Sequence, residues 1–177
     1  MIGIQIPVAP TVGDKILGVC SALKLPPPKD HRLQSAIHDL AKWTHAVTVT
    51  FIHSDRYGQR CNEHIMYSAV RHFIRVVNIK CFGRKQFDKG RRVSVVAASG
   101  MGSSENHPHY HMAIAAPAGM TFAEFEKLIL NAIRKTRWLN QQFDVKPYRS
   151  EGWIKYLLDH QKELFMDLPL PAHQKIG

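Results

Sequence analysis

The sequence lacks any long uninterrupted stretch of apolar residues. A membrane-spanning helix needs about 20 consecutive apolar residues, and every apolar run in this chain is much shorter. The apolar positions near the N-terminus are interrupted by Pro7, Pro10 and Asp14, and no basic stretch precedes a continuous apolar block. We therefore predict neither a membrane span nor a secretory signal, and we expect the protein in the cytoplasm.

Cysteine is also scarce. Cys20, Cys61 and Cys81 lie far apart in the sequence and form no C-x-x-C pair. This spacing argues against a disulfide framework and against a cysteine zinc site. We expect the three cysteines to be small residues of the core.

Acidic residues are few relative to basic ones. The chain has 14 Asp and Glu against 24 Lys and Arg, which gives a formal net charge of +10 at pH 7. An excess of this sign favours a polyanionic partner such as nucleic acid. The 177 residues, 45% of them hydrophobic, are enough for one compact domain with a real core.

The two ends of the chain differ from its middle. Residues 1–30 have no clear hydrophobic pattern and finish in the run Pro26-Pro27-Pro28, which predicts an N-terminal arm and a proline-rich linker. We expect the folded domain over residues 31–168 and a loose C-terminal tail over residues 169–177.

The hydrophobic period alternates between that of strands and that of helices. Strands are predicted at residues 43–52, 92–99, 109–115 and 143–148, and helices from Asp30 and at residues 62–79, 121–136 and 151–165. Residues 100–106 (GMGSSEN) are typical of a turn, so the second and third strands are predicted to form an antiparallel hairpin. Thr121 and Glu124 form a capping-box pattern at the start of the third helix. The order of elements predicts an α+β fold with a central antiparallel sheet flanked by helices, and we expect the helices to pack on one face.

Two histidines carry the most distinctive chemistry of the sequence. Side chains alternate along a strand, so His109 and His111 share one face with Ala113, while Tyr110 and Met112 face the other way into a core. Two imidazoles at this spacing can reach one cation, and imidazole suits zinc, manganese, nickel or cobalt. The alternative is a pair of ordinary edge-strand histidines, but the apolar opposite face favours a metal site.

A tyrosine and a third histidine follow on the last predicted helix. Tyr156 and His160 are four residues apart and are therefore neighbours on one helix face. A metal ligand at His160 would place the Tyr156 phenol beside the cation. Lys155 and Lys162 flank the pair and could contact phosphate. In the alternative interpretation, Tyr156 borders an apolar stripe and His160 lies on a solvated surface.

Three stretches, in this order, resemble the motifs of the HUH endonucleases. Residues 47–51 (VTVTF) resemble the first, threonine-rich strand, residues 109–114 (HYHMAI) the two-histidine motif, and residues 156–160 (YLLDH) the tyrosine motif of the C-terminal helix. The resemblance covers roughly residues 43–165 and is greatest to the single-tyrosine initiators of rolling-circle replication. Asp159 stands where the initiators of eukaryotic viruses usually have lysine.

The resemblance implies a divalent metal ion, with Mn or Mg in use and Zn, Ni or Co as other candidates. Its ligands would be His109, His111 and a third group, for which the candidates in order of preference are His160, Gln161 and Glu105. It also implies that Tyr156 attacks a phosphodiester of single-stranded DNA, forming a 5′-phosphotyrosine link and a free 3′-OH, and that the step can be reversed to rejoin ends. No nucleotide cofactor is expected.

The implied partners are single-stranded DNA, a separate helicase and host replication proteins, in a bacterial or archaeal cell or encoded by a virus. The basic residues that we expect to contact DNA are Arg56, Arg60, Lys80, Arg84, Lys85, Arg91, Arg92, Lys155 and Lys162. Two alternatives remain open: an IS200-like transposase of the same superfamily, and a nucleic-acid-binding module without catalysis. A hydrolytic zinc enzyme is disfavoured because the chain has no H-E-x-x-H motif.

Overall fold

A computed structural model describes residues 35, 37–100, 108–159 and 164–167. The predicted arm, linker and C-terminal tail lie outside these residues. The elements, in chain order, are β1 (His45–Phe51), α1 (Glu63–Phe82), α2 (Arg84–Asp88), β2 (Val95–Gly100), β3 (His109–Ile114), α3 (Phe122–Lys135), β4 (Leu139–Pro147), α4 (Glu151–Asp159) and β5 (Leu164–Asp167). No helix in this part of the chain is long and apolar enough to cross a bilayer.

The strands form one antiparallel sheet in the order β4-β1-β3-β2-β5. This confirms the α+β class and the central antiparallel sheet, including the predicted β2–β3 pair. Thr50, His109 and Gly100 lie side by side at one end of the sheet, and we call this end the histidine end. The opposite end holds His45, Ile114 and Val95.

One face of the sheet, which we call the core face, packs against α1 and α3. Val49, Tyr110 and Met112 are buried there in a single apolar cluster. Both helices begin at the residues that the sequence indicates, because the Asn62 side chain accepts a hydrogen bond from the Ile65 N–H and the Thr121 capping box forms. Good local capping thus fixes where each helix starts, and burial of its apolar side holds it on the sheet.

The other face, which we call the site face, is also covered by a helix. Ile154 and Leu157 of α4 are buried against Trp43, Val96 and Ala98. The prediction of helices on one face only was therefore wrong. The physical reason is visible in β2, whose six residues are all buried, because a strand that is apolar on both sides must be covered on both sides.

Two segments near the C-terminal end of the domain differ from their prediction. The last helix ends at Asp159 rather than near residue 165, and residues 164–167 form β5, which pairs with the outer edge of β2. Pairing leaves fewer backbone groups of β2 without partners, which favours a strand over continued helix. β4 runs from Leu139 to Pro147 and lies at the sheet edge, as its proline predicted, but it is longer than expected.

Candidate active site

The histidine pair lies on the site face, as the alternation of the strand predicts. His109 and His111 are both buried, and their ring centroids are 4.6 Å apart. In the neighbouring strands, Thr48 of β1 and Ala98 of β2 lie opposite His111. The small alanine on one side and the hydroxyl on the other leave the His111 ring space and a polar partner.

His111 is held between two hydroxyl groups. Its Nδ1 forms a 2.8 Å hydrogen bond with Oγ1 of Thr48, and its Nε2 lies 3.3 Å from the Tyr156 hydroxyl. When Nδ1 carries the proton, it donates a hydrogen bond to Thr48, and the lone pair of Nε2 then points toward the phenol. A partner on one ring nitrogen that orients the other is the arrangement typical of metal-binding histidines.

Burial and, to a lesser extent, the neighbouring His109 together lower the pKa of His111 to about 4. The imidazole is therefore neutral near pH 7. Neutral imidazole is the form that binds a cation, because a protonated ring has no free lone pair. The donor set thus fits two nitrogen ligands of a divalent metal ion.

Tyr156 is positioned by a tryptophan one helical turn before it. The Trp153 ring stacks on the Tyr156 ring at a centroid distance of 5.5 Å and meets the His111 ring edge-on at 5.4 Å. The Trp153 indole N–H donates to the carbonyl oxygen of Met112 at 3.0 Å. This bond fastens α4 to β3, so Trp153 fixes the phenol relative to the histidines. In the sequence, the only indication of this role is that Trp153 precedes Tyr156 by three residues. The same spacing is equally typical of ordinary packing along a helix.

The position of His109 depends on Gly100, which the sequence predicts only as part of a turn. Gly100 is the last residue of β2 and pairs with His109. A Cβ atom added at Gly100 would lie 1.8 Å from Nε2 of His109. The imidazole therefore lies directly over the glycine backbone, and any larger residue would displace it.

The third metal ligand is not assigned by this part of the chain. His160, Gln161 and Glu105, the three candidates, all lie outside the described residues, as does Lys162. Among the residues that are described, no group of three His, Cys, Asp or Glu side chains could hold a metal ion. In the described residues, the candidate site therefore consists of two candidate metal ligands, His109 and His111, and one tyrosine, Tyr156.

The hydroxyl of Tyr148, another tyrosine near the start of α4, is engaged elsewhere. It forms a 2.9 Å hydrogen bond with Nδ1 of His38. Burial and, to a lesser extent, the charge of Glu151 together raise the pKa of Tyr148 to about 12. Tyr110 is buried on the core face, as predicted. The Tyr156 hydroxyl, by contrast, lies 3.3 Å from Nε2 of His111.

The predicted DNA-contacting residues fall into two groups. Arg56 and Arg60 lie in the loop that leaves β1 at the histidine end, and Lys155 is exposed on α4 next to Tyr156. The others precede β2 at the opposite end of the sheet: Lys80, Arg84, Lys85, Arg91 and Arg92.

Several members of the second group have structural partners. Arg84 forms an ion pair with Asp88. The Arg92 guanidinium lies over the Phe87 ring at 3.8 Å and donates to the Phe87 carbonyl oxygen. The structure therefore brings Arg56, Arg60 and Lys155 toward the histidine pair and leaves the second group apart from it.

A scan against protein-family models, a search of curated proteins and a search of solved structures found no match to this chain. The arrangement of its own residues is therefore the basis for the functional interpretation.

Proposed function

We propose that this protein is an HUH-type endonuclease and strand transferase that nicks single-stranded DNA at an origin and thereby initiates rolling-circle replication. The observation that carries the proposal is the position of the Tyr156 hydroxyl, 3.3 Å from Nε2 of a neutral, buried His111. A second imidazole, that of His109, lies beside it. A nucleophile next to two metal-type ligands is the minimal apparatus for metal-assisted phosphodiester transfer.

A divalent cation bound by His109, His111 and a third ligand would neutralise charge on the scissile phosphate and favour ionisation of the phenol, whose ordinary pKa is about 10. Mn or Mg is the expected ion, with Zn, Ni or Co as other candidates. His160 is the first choice for the third ligand, followed by Gln161 and Glu105.

The chain's own residues then supply the nucleophile and its orientation. The Tyr156 oxygen forms a bond to phosphorus, and the bond between phosphorus and the 3′ oxygen breaks. The products are a 5′-phosphotyrosine and a DNA strand whose 3′ oxygen takes up a proton. Because the phosphodiester energy is kept in the covalent link, a later 3′-OH can reverse the step and rejoin the strand. Thr48 orients His111, and Trp153 holds the Tyr156 ring.

The charge distribution supports a nucleic-acid substrate. The net charge is +10. Of the predicted DNA-contacting residues, Arg56 and Arg60 lie in the loop at the histidine end of the sheet, and Lys155 lies next to Tyr156 on α4. A separate helicase and host replication proteins are the proposed partners for DNA unwinding. We place the reaction in the cytoplasm of a bacterial or archaeal host.

The proposal is tested by incubating the protein with end-labelled single-stranded DNA and Mn²⁺, followed by a denaturing gel. We expect a covalent protein–DNA band that disappears in Tyr156→Phe, because this change removes the attacking oxygen and keeps the ring. Tyr148→Phe is the matched control and should form the adduct normally. An adduct that persists in Tyr156→Phe would show that the nucleophile is misassigned, and a wild-type protein that binds DNA without any adduct would favour the non-catalytic module.

A further inference from the structure

The loop between β1 and α1 contains a small hairpin over residues 54–60, which we call the β1–α1 hairpin. Ser54 and Arg60 form an isolated bridge across it. The Asp55 carboxylate accepts hydrogen bonds from the backbone N–H groups of Tyr57 and Gln59 at 2.9 Å and 3.0 Å. Gly58 takes a φ of +80°, which suits glycine in a tight turn. The hairpin therefore has a shape defined by its own hydrogen bonds.

This hairpin is fastened at the histidine end of the sheet. The Arg137 guanidinium donates to the Asp55 carboxylate at 2.6 Å. Just before the hairpin, the Phe51 N–H donates to the carbonyl oxygen of Pro108 at 2.9 Å, and Pro108 directly precedes His109. The same end of the sheet thus carries both the hairpin and the histidine pair.

The tip of the hairpin presents an aromatic ring to solvent. Tyr57 is 72% exposed, and among the aromatic residues described only Tyr57 and Tyr156 are exposed. The Arg56 guanidinium lies 4.8 Å from the centroid of the Tyr57 ring. Such an arrangement contributes little to the core, because both side chains stay in water. It does offer a flat ring and positive charge on a preformed support.

We infer that Tyr57, together with Arg56, is a stacking site for an unpaired base of the single-stranded DNA, next to the site of strand cleavage. Aromatic rings stack on any base, and arginine adds a cation–π contribution and attraction to phosphate. Arg60 on the same hairpin extends the positive charge. The inference rests on the proposed function, since it assigns a second contact to the same substrate. The local charge favours nucleic acid over a protein partner for this exposed ring.

The test measures binding by fluorescence anisotropy in EDTA, so that metal-dependent cleavage does not occur. The two probes are a labelled oligothymidylate and an abasic strand of the same length. We expect Tyr57→Ala to weaken oligothymidylate binding on the order of tenfold, the cost of losing one base stack. It should leave the abasic strand unaffected, because that strand has no base to stack. Tyr57→Phe should retain wild-type affinity.

Matched controls separate stacking from charge and from folding. Leu40→Ala removes another exposed apolar side chain and should change neither affinity. Arg56→Ala should also lower the salt dependence of binding, by about 0.7 log units per log salt for one lost phosphate contact on a single strand. Lys127→Ala, which removes an exposed charge on α3 that is not among the predicted DNA contacts, should leave the salt dependence unchanged.

The outcomes distinguish this inference from the proposed function. Wild-type affinity in Tyr57→Ala, or an equal loss on both strands, would overturn the stacking site even if the wild-type protein forms its Tyr156 adduct; the exposed ring would then suit a protein partner. A loss of affinity for oligothymidylate alone supports the stacking site. This holds even if the wild-type protein forms no adduct and the proposed nicking activity is therefore incorrect. Because Tyr156→Phe cannot form an adduct, repeating the measurement in that background reports binding alone.

Discussion

The two faces of β3 show how one strand serves two purposes. On the core face, Tyr110 and Met112 are buried among the side chains of α1 and α3. On the site face, His109 and His111 are also buried, but they are polar. A buried polar side chain without partners lowers stability, and His111 avoids this with hydroxyl partners on both of its ring nitrogens. The core face of β3 therefore stabilises the fold, while its site face holds the two histidine side chains in fixed positions.

The largest expected effect comes from removing side chains from one face of β3 at a time and measuring metal binding and stability for each variant. His109→Ala with His111→Ala should abolish Mn²⁺ binding and DNA cleavage while the protein stays folded, because the apolar cluster of the core face is left intact. Met112→Ala should lower the free energy of unfolding by about 2–5 kcal/mol but retain Mn²⁺ affinity below its melting temperature.

Calorimetry with Mn²⁺ and thermal unfolding would measure both properties on each of these variants. Unchanged Mn²⁺ binding in the double histidine variant would mean that the metal site lies elsewhere. A metal-binding defect in Met112→Ala at low temperature would mean that the two faces are not separable.

A smaller effect is expected at the end of β2. Gly100→Ala would place a methyl group on the His109 ring, so the ring must move. Displacing a ligand in this way should reduce Mn²⁺ affinity by roughly 10–100-fold, as changes to the groups that orient ligands commonly do. Ser99→Ala is the adjacent control, because Ser99 points to the core face. If Gly100→Ala binds Mn²⁺ as tightly as the wild type, His109 is not a ligand in the orientation described.

The features that the sequence predicts correctly are the ones set by local periods and caps. The alternation of residues 109–114 places the histidines on one face without any knowledge of the partner strands. The starts of α1 and α3 follow from Asn62 and Thr121, because each cap is a short-range hydrogen bond. The antiparallel pairing of β2 and β3 likewise follows from two strands joined by turn residues.

The features that the sequence does not predict depend on register or on distant elements. Thr48 faces His111 only because β1 and β3 pair in one particular register, which a single sequence does not specify. The hydrogen bond from Trp153 to Met112 spans 41 positions. β5 forms where the edge of β2 is available, so its short apolar segment is ambiguous until the sheet exists. The exposure of Tyr57 likewise depends on how its hairpin is anchored through Arg137.

The remaining expected effect is a pH dependence of folding stability, which compares one buried histidine from each face of the sheet. The pKa of His111 is lowered from 6.5 to about 4 by burial and by His109. The pKa of His45, on the core face, is also lowered by burial, but its hydrogen bond to the Phe122 carbonyl and the charge of Glu126 oppose this. The unfolded chain therefore takes up protons at a higher pH than the folded one, so acid favours unfolding.

In EDTA, we expect the stability contributed by a neutral His111 to be fully present above pH 6.5 and to be lost as the pH falls toward about 4. The loss is at most about 1.4 kcal/mol for each unit of pKa difference. Denaturant unfolding across this pH range should show a slope that His111→Gln reduces strongly and that His45→Gln reduces less, because the interactions of His45 with Phe122 and Glu126 oppose the effect of burial. A slope that is the same in wild type and His111→Gln would mean that His111 is not held neutral by the fold, and the preparation of this ring for a cation would then need another cause.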